Sequence, residues 1–295
     1  MHDQFNKNGN SLMQLIRKKL LFFALSASVL TACSSASFAE DKAVLKIATE
    51  GAFKPWNFTE PSGKLAGFEI DLAEDLCKRM NRTCEIVAQD WDGIIPALNA
   101  GKYDVIMAAM SITDERKKVL DFSVPYVATY HATMLPEAAV GRLAEDTQRY
   151  NLSDEKASEA PVRLLAEELK NKTVGVQLAS TNGAFLEAYL KNDVTITYYK
   201  TVEQLNLDLQ SGRIDATIAD LTALEAELKK PGFSGYKIAG PVLMGGVFGE
   251  GVGAAMRKGD DALKQLFDTA ITAAIKDGTV KQLSEKWYGT DISPL

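Results

Sequence analysis

The chain has 295 residues, 46% of them hydrophobic and 24% charged, with a formal net charge of −6 and no low-complexity tract. That suits a globular protein of one large or two medium domains with a sizeable core. Residues 1–39 hold Lys7, Arg17, Lys18 and Lys19 against Asp3, a net +3, so the rest of the chain carries −9; such acidity argues against nucleic acid and anionic membrane as partners.

Arg17, Lys18 and Lys19 precede an apolar run over 20–30, and Ser37-Phe38-Ala39 supplies a small-x-small pattern before Glu40. Residues 1–39 therefore read as a secretory signal peptide, too short to stay as a membrane span. Leu30-Thr31-Ala32-Cys33 also fits a lipobox, in which Cys33 would be acylated and anchor the protein to lipid; cleavage after Ala39 is the preferred reading. Either way Cys77 and Cys84 are left as the only cysteine pair, expected to be bonded after export. A zinc site is a poor alternative, because His131 is the single histidine beyond residue 39.

The spacing predicts a strand over 44–49, a loop over 51–57 with Glu50, Phe53 and Trp56 near it, and a hairpin turned by Pro61-Ser62-Gly63. A helix over 70–80, a strand over 83–88 and a helix over 92–100 follow, the last capped by Asp90 and stopped by Gly101. With the apolar strand beginning at Val105, this alternation is a parallel α/β lobe. After that strand comes SITDER at 111–116, where Ser111 and Thr113 are capping residues and Asp114, Glu115 and Arg116 open a helix. Bare backbone N–H groups and the guanidinium fork of Arg116 make a carboxylate clamp. The plainer alternative, a surface pair of Arg116 with Asp114 or another exposed acid, stays open on this stretch alone.

Leu98-Asn-Ala-Gly101-Lys-Tyr-Asp104-Val-Ile-Met-Ala108 is echoed by Leu209-Gln-Ser-Gly212-Arg-Ile-Asp215-Ala-Thr-Ile-Ala219. Two similar lobes are implied, with Asp104 and Asp215 as structural acids. Residues 137–171 are polar and acidic, and read as a surface insertion with a helical tail over 162–170. Strands over 173–177 and 195–199 alternate with helices capped by Ser180 and Thr201, and a helix over 221–229 stops at Pro231-Gly232. Five glycines in 241–253 mark a hinge or turn rather than a phosphate cradle. Amphipathic helices over 260–276 and 280–287 close the chain.

With these parts in place, the chain resembles the family-3 extracellular solute-binding proteins of bacterial amino-acid ABC importers. The motifs that carry the likeness are GFEIDLAEDLCKRM from Gly67, WDGIIPAL from Trp91, AAMSITDERKKVLDFSVPY from Ala108, GVQLAST from Gly175, SGRIDATIAD from Ser211 and DGTVKQLSEKWYG from Asp277. Within the family, Cys77-x6-Cys84 is similar to the lysine/arginine/ornithine and histidine binders, and other stretches to the octopine and nopaline binders. The resemblance implies a type II periplasmic-binding-protein fold, α/β and two-lobed, each lobe a mostly parallel sheet flanked by helices, joined by two hinge strands. It sets lobe 1 at 40–129 and 244–295 and lobe 2 at 130–243. It further implies that Arg116, Ser111 and the backbone at Thr181 take an α-carboxylate, with Ala109 and Ser180 at the same end. Asp220 would accept the α-ammonium, Phe53 and Trp91 would sandwich the side chain, and Glu50 would meet a distal cation. Ala108, Ala109 and Phe53 stand where basic amino-acid binders tend to have serines and tyrosine, and Asp220 where opine binders have an uncharged residue. The expected function is a monomeric periplasmic receptor for arginine, ornithine, lysine or an opine, serving an inner-membrane permease, with no cofactor; a glutamine or histidine receptor is the alternative. A dehydratase on the same fold ranks lower, because the chain has no G-x-S-x-G elbow, metal cluster or Cys-His pair.

Overall fold

The computed structural model describes residues 44–294; the expected signal peptide and Cys33 lie outside them. Strand β1 (Leu45–Thr49) is buried except at Lys46. A small antiparallel sheet of β2 (Ala52–Phe53), β3 (Asn57–Thr59) and β4 (Leu65–Ala66) follows, where the sequence predicts a loop and hairpin. Helix α1 (Phe68–Arg79) begins at Gly67, whose φ of 130° and whose closeness to Trp56 exclude a side chain: a Cβ there would lie 2.4 Å from the Trp56 carbonyl oxygen. The helix buries Phe68, Ile70, Leu72, Ala73 and Leu76 on its apolar face. It ends in a tight turn, with Asn81 left-handed and Arg82 N bonding Cys77 O at 3.0 Å. That turn brings Cys77 to Cys84, and the two form a disulfide.

After β5 (Cys84–Ala88), a 3-10 turn at Trp91–Gly93 leads into α2 (Ile94–Asn99). The sequence predicts one helix here, capped by Asp90; that side chain makes no capping bond. Pro96 explains the later start, since proline is tolerated only in the first turn of an α-helix. Next come β6 (Val105–Ile106), α3 (Asp114–Lys117) and β7 (Leu120–Phe122). Thr113 caps α3, accepting from Arg116 N at 3.2 Å, whereas Ser111 does not cap and instead bridges Val252.

The second lobe contains β8 (His131–Pro136), β9 (Arg149–Asn151), α4 (Glu155–Glu168), β10 (Thr173–Gln177) and α5 (Thr181–Phe185), which continues as a π-turn over Leu186–Leu190. It goes on through β11 (Thr195–Tyr199), α6 (Val202–Gln210), β12 (Ala216–Asp220), α7 (Leu221–Leu228) and β13 (Tyr236–Met244). The chain then returns to the first lobe with β14 (Ala255–Arg257), α8 (Asp261–Lys276) and α9 (Thr279–Tyr288). The segment 137–171 is not a surface excursion. Leu143, Leu152, Leu165 and Leu169 are buried in one core with Val174 and Phe185, and β9 pairs with β13. Charged residues dilute these leucines in sequence without keeping them out of the core.

The first sheet has the order β5-β1-β6-β14-β7, the second β11-β10-β12-β8-β13-β9. Each has a parallel centre, β5-β1-β6 and β11-β10-β12, extended by antiparallel pairings, with β9 joining β13 in parallel at the far edge of the second, and each has apolar clusters on both faces. The internal repeat has a shared hydrogen-bond basis. Asp104 accepts from Lys46 N at 3.0 Å and returns its own N–H to Lys46 O at 2.9 Å; Asp215 does the same with Thr173, at 2.7 and 2.8 Å. Two stretches connect the sheets side by side, and Val127 of one bridges Val252 of the other. Gly251 permits that approach, since a Cβ there would sit 2.6 Å from Val127 O.

Candidate functional site

In open parallel sheets the carboxyl ends of the strands collect ligands, and both lobes present those ends to one space. From the first lobe come Glu50, which follows β1, Phe53 in β2, Trp91 beyond β5, Ala109 and Ser111 beyond β6, and Arg116 in α3. The second lobe supplies Ser180 and Thr181 after β10 and Asp220 at the end of β12. All of these residues singled out from sequence line a single cavity of about 50 Å³.

Arg116 is half-buried, with its guanidinium 5.3 Å from the Trp91 ring centre. It donates to Ser111 O at 3.0 Å and to Ala179 O, in the other lobe, at 3.3 Å. Its pairing with Asp114 does not occur, and no ion pair of Arg116 is found among the described residues. Desolvation pushes its pKa down to about 10, which still leaves it charged at neutral pH. A forked cation without a carboxylate, in a closed space, is equipped to receive one.

Asp220 plays two parts at once. It caps α7, its Oδ1 accepting from Ala223 N at 3.1 Å and from Thr222 Oγ1 at 2.5 Å, and the same oxygen takes the Trp56 indole N–H at 3.2 Å. Burial raises its pKa, and the hydrogen bonds from Thr222, Ala223 and Trp56 oppose that rise. The capping role and the place in the cavity wall are therefore compatible.

Glu50 is buried, and burial pushes its pKa up to about 7; the Gln177 amide, donating to Oε1 at 2.7 Å, works against this, and Glu69 and Asp90 add repulsion. Beneath the cavity, Glu69 is fully buried, accepting from Tyr126 OH, from Asn57 Nδ2 at 2.6 Å and from Ala109 N at 2.7 Å. Ala109 and Ala179 both have positive φ, 49° and 55°. Non-glycine residues in that region are strained, and here the two face the cleft from opposite lobes, one tied to Glu69 and the other to Arg116.

Several wall residues went unrecognised in sequence: Trp56, Thr129, His131, Gln177 and Asn182. Gln177 ends β10, and its place at the carboxyl end of a parallel strand was the available signal. Trp56 looks like an ordinary core residue, and it is one, 1% exposed and packed on Phe68 and Tyr288; only its N–H reaches the other lobe. His131 bonds Asn182 Oδ1 through Nδ1 at 2.8 Å and stacks on Phe248 at 3.9 Å; burial pushes its pKa down to about 4, so it stays neutral.

Two lobes with mixed sheets, two adjacent connections and a charged cleft between them make the architecture of a two-lobed solute-binding protein. The chain belongs to the bacterial extracellular solute-binding proteins, family 3, which match it over residues 45–290. It is 43% identical over 276 residues to the octopine-binding periplasmic protein of Rhizobium meliloti, covering 87% of this chain and 93% of the relative. It is 38% identical over 280 residues to the L-arginine-binding protein of Pseudomonas aeruginosa, covering 94% and 98%. An ancestral arginine-binding protein solved with arginine matches with a TM-score of 0.69 and 35% identity, over 83% of this chain and 98% of that one.

Proposed function

We propose that the protein is a periplasmic receptor, not an enzyme, that captures a cationic amino acid or related opine and delivers it to an inner-membrane ABC permease. The observation that carries this reading is the set of three charges lining one cavity: the Arg116 guanidinium, the Asp220 carboxylate from the opposite lobe, and Glu50 at a third point. A zwitterion entering a desolvated space needs a partner for each charge, because an unpaired buried charge costs several kcal/mol. Arg116 and Asp220 supply those partners, with Ser111, Ala109, Ser180 and Thr181 around the carboxylate end. Glu50 supplies one for a distal cation between Phe53 and Trp91. The names of the relatives support the same ligand class. Export through a cleaved segment at residues 1–39, a monomeric state and hinge motion between lobe 1 (40–129 and 244–295) and lobe 2 (130–243) complete the reading.

Calorimetry with arginine, lysine, ornithine, histidine, octopine, nopaline and glutamine tests it. Binding heat is expected with the cationic solutes; no heat with any of the seven removes the ligand class.

A further inference from the structure

A second, smaller chamber of about 30 Å³ shares Phe53, Gln177 and Asn182 with the wall of the solute cavity. Its other walls come from α6, β12 and α7, and include Asn206, Thr217 and Glu227. At that size it admits roughly two water-sized groups. Asn206 is 7% exposed, and its Oδ1 has no hydrogen-bond donor among the described residues. Buried amide oxygens are nearly always satisfied, so this one calls for a guest that donates.

The neighbouring groups give the guest its chemistry. Glu227, 6% exposed, is already paired, its Oε1 accepting from Lys230 Nζ at 2.6 Å, and no cationic side chain lines the chamber itself. Two of the donors on its wall are already engaged: Gln177 Nε2 bonds Glu50 at 2.7 Å and Lys200 O at 3.3 Å, and Thr217 Oγ1 bonds Gly175 O at 2.9 Å. That leaves Asn206 Oδ1 as an unpaired acceptor in a recess on the far side of Gln177, the residue that touches Glu50.

We propose that this recess is an extension subsite for the outer N–H edge of a guanidinium group, making Asn206 the residue that favours guanidinium solutes over shorter ammonium ones. The idea rests on the reading of Glu50 as the partner of a distal cation. A guanidinium is planar and directs its N–H groups in several fixed directions, so one edge can meet Glu50 while another meets Asn206 Oδ1; the ammonium of ornithine is a compact point on a shorter stem.

The test is calorimetry of wild type, Asn206→Leu and Asn206→Asp with arginine and ornithine, each variant checked by thermal melting. Asn206→Leu is expected to weaken arginine about tenfold or more and leave ornithine within about twofold, as loss of a bond to a charged donor implies. Asn206→Asp is expected to raise the arginine-to-ornithine affinity ratio above that of wild type, and it carries the test if the leucine variant does not fold. Equal losses for both ligands would mean that Asn206 only supports the fold, and unchanged arginine binding would mean that the recess holds water alone; either overturns the subsite while the receptor reading stands. If wild type binds none of arginine, lysine, ornithine, histidine, octopine, nopaline and glutamine, the receptor reading itself fails and takes the subsite with it; if it binds others of these but not arginine, the subsite alone falls.

Discussion

Trp56 and Asp220 sit in different lobes and are joined by a hydrogen bond from the indole Nε1–H to Oδ1, at 3.2 Å. The same N–H reaches Thr222 Oγ1 at 3.1 Å. Trp91 Nε1 also crosses the cleft, to Leu178 O at 3.0 Å, as do Arg116 to Ala179 and Gln177 to Glu50. Closure is thus partly written into protein groups, and a solute adds to it rather than supplying all of it.

Trp56→Phe tests that division. The ring still packs on Phe68 and Tyr288, but the donor to a desolvated carboxylate is gone, a bond worth about 1.5–3 kcal/mol. Affinity for every solute should fall by roughly tenfold or more, with the open form more populated in small-angle scattering of the ligand-free protein. An unchanged scattering profile and affinity would show that the bond carries no closure energy.

How much of this was legible in the sequence depends on what each residue's signal was. Arg116, Ser111 and Asp220 stand in segments whose turn chemistry and repeat placed them at strand ends, and the structure brings them into one cavity. Glu69 was invisible because it occupies the first turn of an amphipathic helix, where an acid is ordinarily solvated; only the tertiary approach of Tyr126, Asn57 and Ala109 makes it fully buried. The later start of α2 was readable from Pro96, while the burial of 137–171 depends on long-range packing that no local pattern encodes.

If Glu50 meets a distal cation, as proposed, solute binding should depend on pH. Its folded pKa is raised from 4.5 to about 7, so the ligand-free fold holds the proton longer than the unfolded chain does. Its contribution favours the folded state below pH 4.5 and is lost as pH rises through 7. A cationic side chain needs the carboxylate, so binding expels the proton, and apparent affinity for arginine should fall by up to roughly tenfold per pH unit below 7. Glutamine should show no such slope, and Glu50→Gln should flatten the arginine profile. Calorimetry in buffers of different ionisation enthalpy counts the protons released; a count of zero near pH 6 would refute the linkage.

Arg116→Lys separates the shared end of the solute from the variable end. Lysine keeps the charge but loses the fork that bonds Ser111 O and Ala179 O while facing the cavity. Losses of about tenfold to a hundredfold are expected, equal for arginine, ornithine and glutamine, since all three present the same carboxylate. A loss confined to the cationic ligands would place Arg116 away from the carboxylate.

The segment 137–171 supplies the last prediction. Leu165 is 1% exposed and Leu143 and Leu169 are fully buried beside it, so Leu165→Ala should cost about 2–5 kcal/mol through lost burial and a residual cavity. Leu207, 56% exposed on α6, is the control, and Leu207→Ala should change stability by less than about 0.5 kcal/mol. Removing the whole segment strips several buried leucines, each worth about 1.5–3 kcal/mol, from a protein whose net stability is of the order of 5–15 kcal/mol. The shortened chain should therefore fail to fold its second lobe, as a broadened or absent thermal transition and rapid proteolysis would report. A deletion variant that melts cooperatively near the wild-type temperature would mean that these leucines are dispensable to the core they occupy.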